Sequence, residues 1–417
     1  MKILCMVDKY HPDSSANTIC CNNLVEYFKL QGHQVDIVSV KWRVEDQDYS
    51  EYNGLNVIKL DTYQFETLKK CGKKYNARVW MDFPWLFRKT RSFLQKLKYV
   101  FKKNPTHCIT LDTINYDNIF NFIKKANEHY DVLITFTMPA AFQVIGSELM
   151  KRGIADRWYP IFLDAFVYNK TMSRLFINKR KNIMKRVLKN ATHIFMVEGI
   201  LEENKKNKYN PEYHNKTTEI YIPMLKELDY PLKDKQKLKN TQLVYAGLFY
   251  PKIRNPEKML DVLSNLDSDN VIKIFGDGCE DILSVKRALF PNGNLIEYGR
   301  ITHEQCIKEI SNCNILINLG NTITNQMPSK VFEYISFGKP IINFYFTEED
   351  MCLEVFKKYP LAFNFNLNNY TDIDIENLKK FIQENKNKQL SFKEATAELV
   401  DYRVEEIAEK IYKVISK

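Results

Sequence analysis

The residues with the clearest chemical potential lie in the segment Asn325–Ile342, which reads NQMPSKVFEYISFGKPII. Pro328 suits the start of a helix, where its missing N–H costs nothing, and Gly338 suits the stop before the apolar run that follows. Free N–H groups and the positive end of such a helix favour a phosphate group at the carboxyl end of the preceding strand. The spacing therefore predicts a diphosphate site at this helix start.

Lys330 and Glu333 are three residues apart in this segment and so share one face of the predicted helix. Lys330 would add a positive charge for phosphate, and Glu333 could accept two hydrogen bonds from the hydroxyl groups of a ribose. The competing interpretation is a surface ion pair between the two side chains, worth about 0.3–0.5 kcal/mol. The spacing alone does not favour either interpretation. Since both side chains are expected to face solvent, replacing either should cost little stability.

A basic and aromatic segment spans residues 69–104 and holds twelve Lys or Arg residues against one acid, Asp82. In its stretch SFLQKLKYVFKK the apolar side chains fall on one helical face opposite lysines, as in helices that lie on anionic lipid. An ordinary solvated basic helix and a nucleic-acid patch are the alternatives. The residues alone leave these three interpretations open.

The elements that must position these residues alternate between strand and helix. The apolar run at 2–7 ends at Asp8, and a polar loop, a helical run and the strand QVDIVSV follow. Such an opening requires two parallel strands joined by a right-handed crossover. Apolar runs at 130–136, 158–164 and 192–198 continue the alternation, which predicts a doubly wound α/β sheet.

A second strand–helix series follows the charged stretch 223–240, which we interpret as an interdomain linker. Its predicted strands are 242–247, 271–278, 294–299, 314–320 and 340–346. Because 417 residues exceed the size of one hydrophobic core, two domains are expected. They are residues 1–222 and 223–390. The amphipathic tail 391–417 is predicted to be a helix that packs back across the domain junction.

Several strings together resemble a known enzyme family. The segment at 325–342, with AGLFYPKIRNP (246–256), IFGDG (274–278) and YGRITHEQCIKEISNCNILIN (298–318), resembles the donor half of the family 4 glycosyltransferases of GT-B fold. The stretch 10–40 is similar to the family's N-terminal loop, helix and strand. The resemblance is strong over 242–346 and loose over 46–130. It implies an α/β protein with two Rossmann-like domains whose parallel sheets face a central cleft. Residues 1–222 would bind the acceptor, and residues 223–390 would bind the nucleotide sugar.

The resemblance assigns roles in the donor half. The loop at Gly247 would approach the diphosphate, with Lys252 and Arg254 as its basic partners. Arg300 and Ile301 stand where the family holds the nucleobase. The full implied donor-binding set is Gly247, Lys252, Arg254, Gly276, Arg300, Ile301, Lys330, Val331 and Glu333.

The resemblance also assigns roles elsewhere. In the N-terminal domain, the loop with Ser14, Ser15 and Ala16 would close over the phosphates, and Thr137 and Asp164 would line the acceptor side. The catalytic positions implied are Asp164 and Asn325.

Two residues depart from the family pattern. Asn325 stands where the family has a second Glu, eight residues before Glu333, and Leu248 replaces the usual Arg of the phosphate loop. Lys252 or Arg254 would have to substitute for that Arg. Two other functions therefore stay open. One is a non-catalytic, glycosyltransferase-like partner or glycan-binding subunit with a decayed donor site, and the other is a nucleotide-sugar epimerase, which a lone Asn325 suits poorly.

The resemblance implies a hexosyltransferase-type enzyme of class EC 2.4. It would transfer a sugar from a nucleotide-diphosphate donor to a glycan or lipid-linked glycan acceptor in cell-surface polysaccharide biosynthesis, with retention of configuration. No cofactor and no obligatory metal are implied. Instead, the helix end and cationic side chains would stabilise the departing diphosphate.

We expect a cytoplasmic protein that is peripheral on the inner face of the cell membrane. Because acceptors of the family are commonly lipid-linked, the resemblance favours the anionic membrane surface, and no nucleic acid, as the partner of the basic segment 69–104. The N-terminal apolar run is too short for a secretory signal, and no run of 18 apolar residues suggests a membrane span. Nine cysteines without a C-x-x-C pair fit a reducing compartment and a packing role.

Overall fold

The computed structural model describes residues 1–12, 15–43, 45–61, 128–137, 141–168, 177–228, 239–323 and 327–417. The basic segment 69–104 with its predicted lipid surface lies outside these ranges, as do Ser14 and Asn325. The chain forms two compact units. The first comprises Met1–Pro223 together with Ile407–Lys417, and the second comprises Met224–Glu406.

The first unit is built on an eight-stranded sheet. Its strands are β1 (Lys2–Met6), β2 (Gln34–Val40), β3 (Tyr49–Tyr52), β4 (Leu55–Leu60), β5 (Tyr130–Thr137), β6 (Ala155–Phe162), β7 (Ile194–Val197) and β8 (Thr217–Ile220). They lie in the order β3-β4-β2-β1-β5-β6-β7-β8, and all pairs are parallel except β3 with β4. The helices are α1 (Ala16–Leu30), α2 (Ala141–Lys151), α3 (Ile177–Leu188) and α4 (Glu198–Lys206).

Local sequence explains the first unit's opening. Strand β1 is buried on both faces, as parallel strands covered by helices are. A capping box formed by Ser15 and Thr18 starts helix α1, and Gly32, with φ +78°, follows its end. Because β1 has β2 on one side and β5 on the other, the winding direction of the sheet reverses between β1 and β5. Ligands of such sheets bind at the carboxyl ends beside this reversal.

The second unit carries a six-stranded, fully parallel sheet. Its strands are β9 (Thr241–Ala246), β10 (Asn270–Phe275), β11 (Leu295–Gly299), β12 (Ile315–Leu319), β13 (Ile341–Tyr345) and β14 (Ala362–Asn366), in the order β11-β10-β9-β12-β13-β14. This is the strand order of dinucleotide-binding folds, with the reversal between β9 and β12. The helices are α5 (Glu257–Leu263), α6 (Glu280–Lys286), α7 (His303–Asn312), α8 (Lys330–Ser336), α9 (Met351–Lys357), α10 (Asp372–Asn385) and α11 (Phe392–Ala395). The last helix, α12 (Val404–Ile415), begins in this unit and continues into the first.

The predicted single helix over 391–417 is wrong in detail. The chain there forms the short helix α11, a 3₁₀ turn at Val400–Tyr402 and then α12. The break has a physical reason, because Arg403 adopts an extended conformation and forms a bridge with Leu225, to whose carbonyl Val404 donates its N–H. Residues from Ile407 onward belong to the first unit.

Two further findings concern the whole described chain. Its helices include none that is long and apolar enough to cross a membrane. The seven cysteines within the described ranges are all free and buried.

Candidate functional site

The predicted donor residues converge on the reversal point of the second unit's sheet. Gly247, Lys252 and Arg254 lie in the loop that follows β9, and Lys330 and Glu333 lie at the start of α8, which follows β12. Since the carboxyl ends of β9 and β12 are neighbours at one edge of the sheet, these two groups share that edge. The sequence thus predicted where the residues gather, while their contact with a ligand stays a prediction.

Glycines at the carboxyl ends of β9, β10 and β11 let the chain stay hydrogen-bonded just beyond the sheet. The Gly247 N–H donates to the Phe275 carbonyl at 2.9 Å, and the Gly276 N–H donates to the Gly299 carbonyl at 2.8 Å. Gly276 has φ +146°, and a Cβ there would collide with the carbonyl of Gly247. Gly276, predicted to bind the donor, is therefore required for close approach of two backbones.

Helix α8 is fixed to the end of β9 by a buried tyrosine. The Tyr334 hydroxyl donates to the Ala246 carbonyl at 3.1 Å and accepts from the Ala246 N–H at 2.8 Å. Burial raises the pKa of Tyr334 well above its usual range. At the other end of α8, Gly338 has φ +64°, which confirms the predicted helix stop. Helix α8 is thus held at the reversal point.

Lys330 and Glu333 form an ion pair on α8. The Lys330 Nζ lies 2.8 Å from Oε1 and 2.7 Å from Oε2 of Glu333. The Glu333 side chain is only 8% exposed, whereas that of Lys330 is 28% exposed. The expectation that both side chains face solvent is therefore wrong for Glu333. The neighbouring Val331 is fully buried, and its N–H donates to the Pro328 carbonyl at 3.2 Å.

The predicted nucleobase position lies after β11. Arg300 Nε is 3.2 Å from an oxygen of Asp277, and the Arg300 side chain is 54% exposed. Ile301 is half-buried beside it. Gly299, with φ +67°, turns the chain just before them. Arg300 is thus held by one carboxylate while most of its donors remain accessible.

A buried carboxylate that the sequence analysis did not single out borders the same edge. Asp350 is 3% exposed, and its Oδ1 accepts from the Cys352 N–H at 2.8 Å at the start of α9. Its Oδ2 has no hydrogen-bond partner within the described part of the chain. A Cβ on Gly320 would collide with that oxygen, so a glycine is required there. Burial raises the pKa of Asp350.

In the first unit, the predicted phosphate loop adjoins a carboxylate. The Ser15 hydroxyl donates to Asp8 at 2.8 Å and accepts from the Thr18 N–H at 3.2 Å, while Ala16 begins α1. Burial raises the pKa of Asp8, an effect that the Ser15 hydrogen bond partly offsets. The Ser15 hydroxyl is therefore already engaged, and a carboxylate competes with any phosphate there.

The predicted acceptor-side residues lie at the carboxyl ends of β5 and β6, beside the first unit's reversal between β1 and β5. Thr137 ends β5; its carbonyl accepts from Asn17 at 3.2 Å and its hydroxyl accepts from Gln143 at 2.7 Å. Asp164 is half-buried just beyond β6. Burial, helped by the Asp164 charge, raises the pKa of Cys20 on α1. Asp164 is thus near the start of α1, whereas its predicted catalytic partner Asn325 is outside the described residues.

Comparison with solved structures identifies the fold. No protein-family model and no curated protein sequence matches the chain. Sucrose-phosphate synthase from Thermosynechococcus elongatus matches it with a TM-score of 0.66 at 13% identity, covering 100% of this chain and 98% of that one. TarM matches with a TM-score of 0.64 at 11% identity, covering 100% and 99%. HepE from Anabaena, in complex with UDP and glucose, matches with a TM-score of 0.59 at 11% identity, covering 100% and 99%.

These relatives have the GT-B glycosyltransferase fold. The chain therefore has that fold, with two α/β units that each contain a parallel sheet. The fold class predicted from the sequence resemblance is confirmed, apart from the antiparallel edge strand β3 that the sequence did not predict.

Proposed function

We propose that the protein is a glycosyltransferase that takes a sugar from a nucleotide-diphosphate donor bound by its second unit. The observation that carries the proposal is the gathering of the Gly247 loop, Lys252 and the Lys330–Glu333 pair at the reversal point of a dinucleotide-type sheet. Sheets of this order bind nucleotides at that place. HepE, which shares the fold, is described in complexes with UDP and with UDP-glucose.

The site has groups suited to such a donor. Lys252 and Lys330 provide positive charge, and the Glu333 carboxylate keeps lone pairs for ribose hydroxyls beyond those used by Lys330. Preorganised charges of this kind stabilise a leaving diphosphate. We accordingly propose hexosyl transfer with retention of configuration and without an obligatory metal.

The acceptor side belongs to the proposal as well. We infer a glycan or lipid-linked glycan acceptor near Thr137 and Asp164 in the first unit, in cell-surface polysaccharide biosynthesis. The basic segment 69–104 would bring the enzyme to the anionic, cytoplasmic face of the membrane. Its excess of eleven positive charges supports this placement, with twelve Lys or Arg residues against one acid.

The decisive experiment is a panel of nucleoside diphosphates and nucleotide sugars tested by calorimetry and thermal shift. A ligand at one hundred times its dissociation constant should stabilise the protein by about 2.7 kcal/mol. Donor hydrolysis, with the anomer of the released sugar read by NMR and with EDTA added in parallel, tests catalysis, retention and metal independence. The matched control is Glu376→Gln, which breaks an exposed Lys379–Glu376 pair on α10 outside the site.

One observation favours a second candidate, a non-catalytic partner with a decayed donor site. The charges of Lys330 and Glu333 already satisfy each other, with the carboxylate buried. Such a protein would fold as described here, yet the whole panel would leave its melting temperature unchanged. Binding without hydrolysis of any donor would favour a glycan-binding role instead.

A further inference from the structure

Two loops meet at the reversal point of the second unit and are joined by one arginine. Arg254, after β9, donates from Nε at 3.1 Å and from Nη2 at 2.9 Å to the same amide oxygen of Asn321, after β12. Its Nη1 donates at 3.4 Å to the Leu248 carbonyl of its own loop. Asn321 is only 1% exposed, and Arg254 is half-buried.

A second pair of contacts joins the same two loops. The Thr322 N–H donates to the Ile253 carbonyl at 2.8 Å, and the Thr322 hydroxyl donates to the Lys252 carbonyl at 3.1 Å. Together with the Arg254–Asn321 contact, they form what we call the loop clasp: Lys252, Ile253 and Arg254 on one side and Asn321 and Thr322 on the other. The clasp holds the loop that carries Gly247 against the chain that follows β12.

The two cations of the clasp are placed differently. Arg254 uses all three of its nitrogens for protein acceptors. Lys252 is exposed; only its backbone carbonyl belongs to the clasp, and its ammonium has no partner among the described residues. The geometry therefore separates a cation that holds the loop from a cation that is free to meet an anion.

We infer that Arg254 is a positioning residue for the donor site, acting through Asn321, and that Lys252 makes the direct cationic contact with the diphosphate. The inference rests on the proposed function. It departs from the sequence-based expectation that both basic residues contact the diphosphate. By holding the Gly247 loop against the chain that follows β12, Arg254 positions the backbone beside which the diphosphate must fit.

A double-mutant cycle tests this assignment, with UDP, GDP and ADP as probes and the tightest of the three used throughout. Arg254→Lys keeps the charge but loses the paired donors, and Asn321→Ala removes the acceptor. Each single variant should weaken binding about tenfold, and the double variant should bind no worse than the weaker single one. Lys252→Ala should weaken binding as well, because it removes the direct contact with the diphosphate.

Salt dependence provides a second readout, because loss of a phosphate contact reduces the dependence of affinity on salt. Lys252→Ala should flatten that dependence, whereas Asn321→Ala should leave it like the parent's. If the effects of Arg254→Lys and Asn321→Ala multiply, or if Asn321→Ala keeps full affinity, the positioning role of Arg254 is wrong, while the proposed function still stands. If the parent binds none of the three probes, the proposed function falls and this assignment with it. Melting temperatures accompany every variant, and Asn321→Ser replaces Asn321→Ala if the latter does not fold.

Discussion

Replacing Glu333 by glutamine separates a nucleotide-binding carboxylate from a purely structural one. The change removes two charge-assisted hydrogen bonds from Lys330, at 2.7 and 2.8 Å, each worth about 1.5–3 kcal/mol. Because Lys330 is 28% exposed, its ammonium regains water when the carboxylate is lost. We therefore expect a net loss of about 2 kcal/mol in the free energy of unfolding, or about 4–8 °C in melting temperature.

The effect on nucleotide binding is expected to be separate from this loss of stability. A ribose held by the Glu333 carboxylate would lose charge-assisted hydrogen bonds, so nucleoside diphosphate affinity should fall about tenfold or more. Lys330→Ala should weaken the binding of nucleoside diphosphates and spare the free nucleoside. Calorimetry well below the melting temperature of each variant measures both effects.

A double variant, Lys330→Met with Glu333→Gln, provides the critical comparison. Replacing both partners of a buried pair removes the unpaired charge, so most of the lost stability should return. If Glu333 binds ribose, affinity should stay low in this stable variant. A double variant with restored stability and the parent's affinity would refute the reasoning and assign the pair a structural role. Glu376→Gln should change neither quantity.

Three further outcomes follow from the structure and the sequence. In urea unfolding, Gly338→Ala should lose about 2 kcal/mol more stability than Gly293→Ala. Both positions have positive φ, but only a Cβ at Gly338 would collide with the Leu390 backbone. Equal losses would contradict this prediction. Burial alone would raise the pKa of Asp46, but hydrogen bonds from Lys59 and two backbone amides lower it below its usual value. The stability that this carboxylate contributes is therefore present above about pH 4 and lost as the pH falls through its folded pKa. Asp46→Asn should cost about 3 kcal/mol at pH 7 and flatten the fall of unfolding free energy with decreasing pH, measured by urea unfolding. An unchanged fall at low pH would count against this role of Asp46. Co-sedimentation with liposomes should require anionic lipid, weaken with salt, and fall when Lys96, Lys98, Lys102 and Lys103 are replaced by Glu. Binding that does not depend on lipid charge would contradict the proposed membrane surface.

Much of the second unit could be predicted because its strands are apolar runs bounded by glycine or polar residues. The strands from β9 to β13 lie within one or two residues of their predicted positions, apart from β10, which ends three residues earlier at Phe275. Gly276 and Gly278 continue past that end with positive φ. Strand β14, with the sequence AFNFN, and helix α10 were not predicted. Alternating Asn residues within β14 weaken the apolar signal on which the strand predictions relied.

The contacts inside the site could be predicted only in part. The spacing of Lys330 and Glu333 correctly indicated that they share a helix face, but it could not show that the carboxylate is buried, since burial depends on what the rest of the unit packs against it. Asn321 carried a usable signal, a polar residue just after a strand and a glycine. Tyr334 carried none, because a tyrosine within an apolar helical run reads as core. Its hydrogen bonds to Ala246 join residues 88 positions apart.

Because the chain returns to its first unit at Ile407, the two units differ in how many stretches of polypeptide form them. The second unit is one uninterrupted stretch, Met224–Glu406, whereas the first needs two separated stretches. The later stretch provides Tyr412, which contacts the His33 ring at 3.2 Å and packs on Tyr27. During synthesis the second unit can therefore complete its fold while the first still lacks Ile407–Lys417. A gene fragment that ends at Pro223 should yield an incomplete unit, which co-expression of the missing helix segment should help to restore.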